Sequence, residues 1–548
     1  MDRLMIDTLL INGRIYTMKE EGDRAEAVGI RDGRIVFAGS ADDANAYAAA
    51  KTIDLKGKTV IPGLGDSHLH LYAYCQNRAT VPLEDAACMD DLISAMKEKA
   101  AVTEKGRWIK GTGFDQTKFR ENRMPTRHDL DKISTEHPIV IRRCCLHVMV
   151  ANSLAIQTAG ISRQLMDEMQ GLIGTEPDGA PDGVFRERAT AIFDDIVPNP
   201  LSDPAEKKRV MTETFSDMVS KGLTAVHTYA AKIWNYEEDI ETYRELEKNG
   251  ELPLRVVVSL DELFEPEGKP LSKDPYDKVK PGSYKLFTDG SLGARSAALT
   301  EPYSDDPGNC GIAVDRDKLT DEVRKAFRKG LKPAIHAIGD KALDIAMDAI
   351  ETAAKEGCSA ECLPVRIIHA QYVRRDQLDR LKSLPVALDV QPVFLCTDLY
   401  WIEDRLGKDR SRDTYLWKTL TDNGLVLAGG SDCPVESYDP IKGIYAAVTR
   451  QDLNGYPPGG WDPEERLTVY EAVCLFTKNI ASMTGDGDVL GTIEAGKFAD
   501  LTVLEEDPFE LEADRLKDIR VAMTFVAGEK VFDREKKGVK IKSEQFQS

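Results

Sequence analysis

The chain has 548 residues, 42% hydrophobic and 30% charged, which suits a soluble globular protein of two to four domains with ample material for a core. Its 93 acidic against 72 basic side chains leave a net charge of −21, a surface that repels phosphate backbones and anionic lipid and so disfavours nucleic-acid and membrane partners. The ten cysteines include no CxxC, and the expectation is free, mostly buried thiols. The first residues carry acids and no long apolar core, and no run of about 18 apolar residues occurs, so a cytoplasmic protein is expected.

Residues 5–60 read as short strands. Asn12-Gly13 is a hairpin signal between apolar runs, and Asp32-Gly33 repeats it. The tail does the same around Ala499–Leu504, Val521–Val526 and Lys530–Phe532. Each end offers too few strands for a stable sheet alone. Residues 1–60 and 488–548 are therefore expected to pair into one small β-sandwich domain.

Between them, apolar runs at 223–227, 254–260, 284–288, 333–336, 365–369, 386–390 and 425–428 alternate with helical stretches. The clearest helix is 340–356, with Asp340 at its cap, Leu343, Ala346, Ala349, Ile350 and Ala353 along one face, and Gly357 closing it. A second spans 204–221, with Asp203 at the cap and Pro204 in the first turn. Strands alternating with helices predict a buried parallel sheet. Counting Thr59–Pro62 as the first strand gives eight, the number of a (β/α)8 TIM barrel, expected over residues 61–487. The proline-containing segment 261–283 lacks a helical stripe. Residues 75–200 are too long for one βα unit and are expected to form an α/β insertion after strand 1, near the barrel mouth, with Gly171–Gly183 as a loop.

Of only eight histidines, five end or follow a strand: His68, His70, His227, His336 and His369. In an extended segment His68 and His70 face the same way. Asp432 follows the last apolar run. These positions lie at the carboxyl ends of different barrel strands, where barrel active sites are built. Imidazoles and a carboxylate converging there suit zinc or another first-row divalent metal. Taken singly, each of these residues is explained as well by a hydrogen-bonded core histidine or a helix-capping aspartate. His227 faces the mouth or sits in the wall. His128 and His137, near Pro125 and Pro138, read as surface residues.

The run Pro62-Gly63-Leu64-Gly65-Asp66-Ser67-His68-Leu69-His70 resembles the opening metal motif of the amidohydrolase superfamily. Lys285–Arg295, His336-Ala337-Ile338-Gly339-Asp340, His369-Ala370-Gln371 and Gly430–Glu436 narrow the resemblance to its N-substituted formamide deformylase-like (YtcJ-like) branch, over about residues 6–530. The resemblance implies that His68, His70 and Asp432 bind one metal and His336 and His369 a second, with Lys285 carboxylated by carbon dioxide to a bridging carbamate. An ordinary lysine paired with Asp289 is the alternative. It further implies a hydrolase that cleaves an amide-type C–N bond of a small molecule, such as an N-substituted formamide or N-acyl compound. The nucleophile would be a metal-activated hydroxide, with Asp432 as general base and then acid. The cofactor would be one or two divalent ions, Zn2+ by expectation, per subunit. Deaminase or esterase chemistry on the same centre, and a metal-bound protein that only binds, are the alternatives. Candidate substrate-binding residues are His147, His227, Arg295, Phe114, Asp115 and Trp401, with Tyr400 beside it; for the aromatics core packing is the alternative. A homodimer is the base-rate expectation.

Overall fold

The computed structural model describes residues 3–143, 148–194, 196–230, 236–261, 274, 276–357, 364–536 and 538–539. The chain divides into two compact units, Met1–Leu71 with Thr212–Ser548, and Tyr72–Met211.

In the first unit the central element is an eight-stranded parallel sheet that nearly closes on itself. Its strands are β1 (Leu64–Leu69), β2 (Leu223–Ala230), β3 (Arg255–Leu260), β4 (Val279–Phe287), β5 (Pro333–Ala337), β6 (Val365–His369), β7 (Val386–Val390) and β8 (Val426–Gly429), each paired with its neighbour in sequence order. The strands are almost wholly buried, as parallel strands covered on both faces must be. Just beyond the strand ends two backbone bonds tie β1 to the loop after β8: Asp432 N–H to the His68 carbonyl at 2.8 Å and His70 N–H to the Cys433 carbonyl at 2.7 Å. The fold is thus α/β with a barrel of the TIM type.

The expected strand count holds, but its first member does not. Thr59–Pro62 pairs antiparallel with Leu501–Leu504, Val60 opposite Val503, inside a seven-stranded sheet. The chain changes sheets at Gly63, whose N–H bonds the Asp500 carbonyl at 2.8 Å. A Cβ there would lie 2.3 Å from Thr224 Oγ1, so only glycine lets the crossing pass this close to β2. The seven-stranded sheet mixes Arg14–Tyr16, Arg24–Ala25 and Thr59–Pro62 with strands from 501–539. With a four-stranded sheet of Leu4–Ile11, Ala27–Arg31, Arg34–Gly39 and Tyr47–Asp54 it shares a core of Leu10, Val28, Val60, Leu501, Val503 and Phe525. Residues from both chain ends therefore bury one another.

Asn12-Gly13 does not make a hairpin. The strands either side of it belong to the two different sheets, and Asn12 sits at φ 57° as the chain turns between them. Tertiary pairing overrides the local signal. Asp32-Gly33 does join paired strands, with φ of 50° and 76° as a type I′ turn requires.

The helix Asp340–Lys355 buries the five residues expected of it. Its cap is Gly339 rather than Asp340, whose carboxylate instead accepts the Thr300 N–H at 3.0 Å and an Arg374 N–H at 2.7 Å. Pro204–Ser220 forms the other expected helix, and Asp203 accepts the Ala205 N–H. The segment 262–273 of the proline-containing stretch lies outside the described residues.

The second unit is a six-stranded mixed sheet in the order 173–175, 181–186, 148–151, 139–143, 109–114, 81–82. The helix Met89–Val102 packs Leu92, Ile93 and Met96 against Ile109, Ile139 and Ile141. Gly171–Gly183, expected as a loop, carries the strand Ile173–Thr175 and enters its hairpin partner Pro181–Arg186. His137 is buried, not a surface residue. Its ring nitrogens meet Ser134 Oγ at 2.8 Å and the Thr103 carbonyl at 3.2 Å. Of the six described cysteines five are buried, while Cys144, Cys145, Cys358 and Cys362 lie outside the described residues. Among the described residues no helix is long and apolar enough to cross a membrane.

Candidate metal centre

His68 and His70 leave the end of β1, Lys285 lies near the end of β4, His336 on β5, His369 closes β6, and Asp432 follows β8. Strand order brings these distant residues to one end of the barrel. His70 Nε2 lies 2.9 Å and His68 Nε2 3.4 Å from Asp432 Oδ1. Lys285 Nζ lies 3.1 Å from His68 Nε2. The rings continue the cluster, with centroids 5.2 Å apart for His68–His70, 6.0 Å for His68–His369 and 4.5 Å for His336–His369.

Burial sets the protonation states. Desolvation, then the neighbouring Lys285 and His70, hold His68 well below the usual imidazole range; desolvation and His336 do the same for His369. Both present neutral rings, the form that ligates metal. Desolvation lowers the Lys285 ammonium to about 7, against the pull of Asp432 and Asp389. Burial alone would raise Asp432, but its bond to His70 and the surrounding positive groups hold it at about 2, an anion.

Neighbouring side chains orient these groups. Gln391 Oε1, in the loop after β7, meets His369 Nδ1 at 2.8 Å, leaving Nε2 for the cluster. His336 Nε2 meets the Gly290 carbonyl at 3.1 Å and Asp289 Oδ1 at 3.3 Å. The Asp289 carboxylate is fully buried and accepts the N–H groups of Ile338, Gly339 and Ala298, so it holds the loop after β4 to the loop after β5 instead of pairing with Lys285. Asp66 accepts the His68 N–H at 3.0 Å and the Ser431 hydroxyl at 2.6 Å, and desolvation raises it to about 7. Gln391, Asp66 and Asp289 were not singled out as site residues from sequence. Asp66 lies inside the first motif run, where the histidines drew the attention, and Asp289 and Gln391 follow strand ends, a position shared by ordinary turns.

The donor set fits a divalent cation. His68, His70 and Asp432 offer two ring nitrogens and a carboxylate oxygen all within 4.8 Å of one another, the N/O chemistry that such ions take.

Other candidates fall elsewhere. His147 lies outside the described residues. Phe114 is fully buried in the core of the second unit against Phe119, as the packing alternative expects. Asp115 pairs with Arg143 at 2.9 Å. Arg295 grips Asp305 through two bonds of 3.0 and 2.8 Å, and Arg405 shares that carboxylate, so its guanidinium is already engaged. Trp401 stacks under the Arg405 guanidinium at 5.5 Å, and the Tyr400 hydroxyl bonds Asp452. His227 lies within β2, in the barrel wall, where it is buried, and desolvation drops it to about 3.

A barrel of this type carrying such a cluster defines the class, a metal-dependent hydrolase. The sequence pattern of the amidohydrolase family matches residues 51–532, and the chain belongs to that family. It is 35% identical to the protein YtcJ of Bacillus subtilis (strain 168), over 95% of this chain and 98% of that one. It is 27% identical to the N-substituted formamide deformylase of Arthrobacter pascens, over 97% and 99%. The crystal structure of an uncharacterized metal-dependent hydrolase from Pyrococcus horikoshii OT3 superposes with a TM-score of 0.75 at 31% identity, covering 92% of this chain and 99% of that one.

Proposed function

We propose that the protein hydrolyses an amide-type C–N bond of a small molecule, converting an N-substituted formamide or N-acyl compound and water into a carboxylate and an amine. The observation that carries this reading is the convergence of His68, His70 and Asp432 with Lys285, His336 and His369 at the carboxyl end of the barrel. The similarity to the formamide deformylase supports the bond type.

In this reading His68, His70 and Asp432 hold one divalent ion, zinc by ligand preference, and His336 and His369 a second. Bound there, such an ion lowers the pKa of water towards about 7 and polarises a carbonyl oxygen. The remaining work falls to the chain. Asp432, held anionic, accepts the proton of the attacking water at a carboxylate oxygen. It then delivers that proton to the departing nitrogen, which leaves poorly as an anion. Neutral His68 and His369 keep their lone pairs for binding. Lys285 is only 2% exposed, and its Nζ is in contact with His68. As a free amine it could add to carbon dioxide, losing a proton, to give an anionic carbamate that would offer oxygen donors to the metal site.

The test is a panel of N-substituted formamides, N-acyl amines, N-acyl amino acids, esters and deaminase substrates, assayed on protein of measured metal content. Turnover of amides that disappears with the metal in a His68→Asn/His70→Asn variant is expected. Turnover confined to esters or deamination substrates would replace the C–N reading. A fully metal-loaded protein that turns over nothing would leave a binding protein.

A further inference from the structure

The pairing of β1 with β2 changes register beside His68. Asp66 stands opposite Val226 and Leu69 opposite Thr228, so two residues of β1, Ser67 and His68, face one of β2, His227. Such a bulge turns a side chain out of the regular alternation and interrupts the ladder around it. The carbonyls of both bulged residues are bonded from outside β2. The His68 carbonyl accepts the Asp432 N–H at 2.8 Å, and the Ser67 carbonyl accepts from Arg366 Nη2 at 2.7 Å.

Arg366 lies on β6, which is no neighbour of β1 in the sheet, and its side chain is 2% exposed. The fully buried Asp389 of β7 fixes it: Nε and Nη2 donate to the two carboxylate oxygens at 2.9 Å each. Nη2 carries two hydrogens, and the second is free for Ser67. Nη1 approaches Ser283 Oγ, two residues before Lys285, at 3.4 Å. The backbone carbonyl of Asp389 accepts Gln391 Nε2 at 3.2 Å, and Gln391 in turn meets His369. A buried ion pair adds little to stability by itself, since apolar side chains of similar volume often serve as well. They cannot supply a planar fork that meets a carboxylate on one edge and a carbonyl beyond it.

We propose that Arg366 is a positioning residue for the metal centre: oriented by Asp389, it pins the β1 bulge at the Ser67 carbonyl and so keeps His68 turned towards His70 and Asp432. This role presupposes that those three side chains hold an ion, as proposed above, but does not depend on which bond the protein hydrolyses.

The test compares wild type, Arg366→Lys and Arg366→Met/Asp389→Leu. Zn2+ affinity is measured by chelator competition, ligand geometry by the visible spectrum of the Co2+-loaded protein, and stability by the melting temperature without metal. The double variant leaves no unpaired charge and keeps the backbone carbonyl that holds Gln391, so its main loss is the bond to Ser67. Lysine keeps the charge but not the fork. Zn2+ binding about 10–100-fold weaker in both variants, with shifted Co2+ ligand-field bands, is expected, the usual effect of losing a group that orients a ligand. A merely structural role would lower the melting temperature and leave the affinity and spectrum of the folded protein at wild-type values. That result overturns the proposal, as does wild-type affinity in Arg366→Lys. If the double variant does not fold, Arg366→Lys decides alone. A wild type that binds neither ion removes the metal reading and this role with it, whereas a wild type that binds, beside variants that bind equally well, removes only the role of Arg366.

Discussion

Asp289→Asn should loosen the metal centre without touching a metal ligand. One fully buried carboxylate satisfies three backbone donors: Ile338 N–H at 3.1 Å through Oδ1, and Gly339 and Ala298 N–H at 2.8 and 3.0 Å through Oδ2. Asparagine keeps one acceptor oxygen. Its best placement serves Gly339 and Ala298 and turns its NH2 towards the Ile338 N–H, donor against donor. Stranding one buried N–H costs about 1–3 kcal/mol, and weakening two bonds from charged to neutral acceptors costs roughly 1 kcal/mol each, so about 3–5 kcal/mol in total is expected. The loss should be local, because these residues hold the loops after β4 and β5. Native-state hydrogen exchange should show the Ile338, Gly339 and Ala298 amides opening at least 100-fold more often, the lower end of that cost. His336 contacts the same carboxylate at 3.3 Å, so metal affinity should fall too. Exchange at these amides within threefold of wild type would show that the carboxylate does not clamp the two loops.

Asp432→Asn should retain metal, since the amide oxygen can still ligate, yet lose turnover by about 10² or more; unchanged turnover at equal metal content would remove Asp432 from proton transfer. Gln391→Leu deletes the partner of His369 Nδ1 and should weaken metal binding about 10–100-fold in a chelator competition, whereas an unchanged affinity would mean the ring is held by packing alone. Asp129, buried beneath Arg123, gives a pH signature in the second unit. Burial alone would raise it, but bonds from Arg123 at 2.7 and 2.9 Å, the Thr126 N–H and Lys132 hold it well below the ordinary aspartate value. The unfolded chain therefore takes up this proton first. The stabilisation is complete above about pH 4 and drains away as pH falls towards the folded value. Asp129→Asn should flatten the acid side of the melting curve for that unit, and a slope identical to wild type would contradict the assignment.

The barrel was legible because seven of its strands are short apolar runs, most of them set off by helical stretches, and the cluster because histidine is rare here and falls repeatedly at strand ends. What failed to show in the sequence depends on partners far along the chain. Thr59–Pro62 is as apolar as any barrel strand, and only its pairing with Leu501–Leu504 assigns it to the other sheet. Asn12-Gly13 carries a sound local signal, but the flanking strands find their neighbours at Ala27–Arg31, Tyr47–Asp54 and Thr59–Pro62. Asp289 was visible as a residue but not as a clamp, since its three donors come from two separate loops. Gln391 and Arg366 show no periodicity at all. Their roles appear only when β6, β7 and β1 stand around one axis.

The backbone at the cluster explains why two of its residues can leave strands and still face one point. His369 sits at φ 79° and Asp432 at φ 55°, in the left-handed region that side chains bearing a Cβ enter at about 1–2 kcal/mol each. Continuing in extended geometry, the residue at a strand end would face in or out according to register alone. A left-handed step lets the chain turn away into its loop while the side chain stays with the cluster. The strain is held by bonds formed at the same places: Asp432 N–H to the His68 carbonyl at 2.8 Å, and Ala370 N–H to the Ala337 carbonyl at 3.0 Å. The first of these also joins β1 to the loop after β8. Near-closure of the barrel and the aiming of Asp432 at His68 and His70 are therefore one event, so weakening the seam between β1 and β8 should cost metal affinity before it costs the rest of the fold.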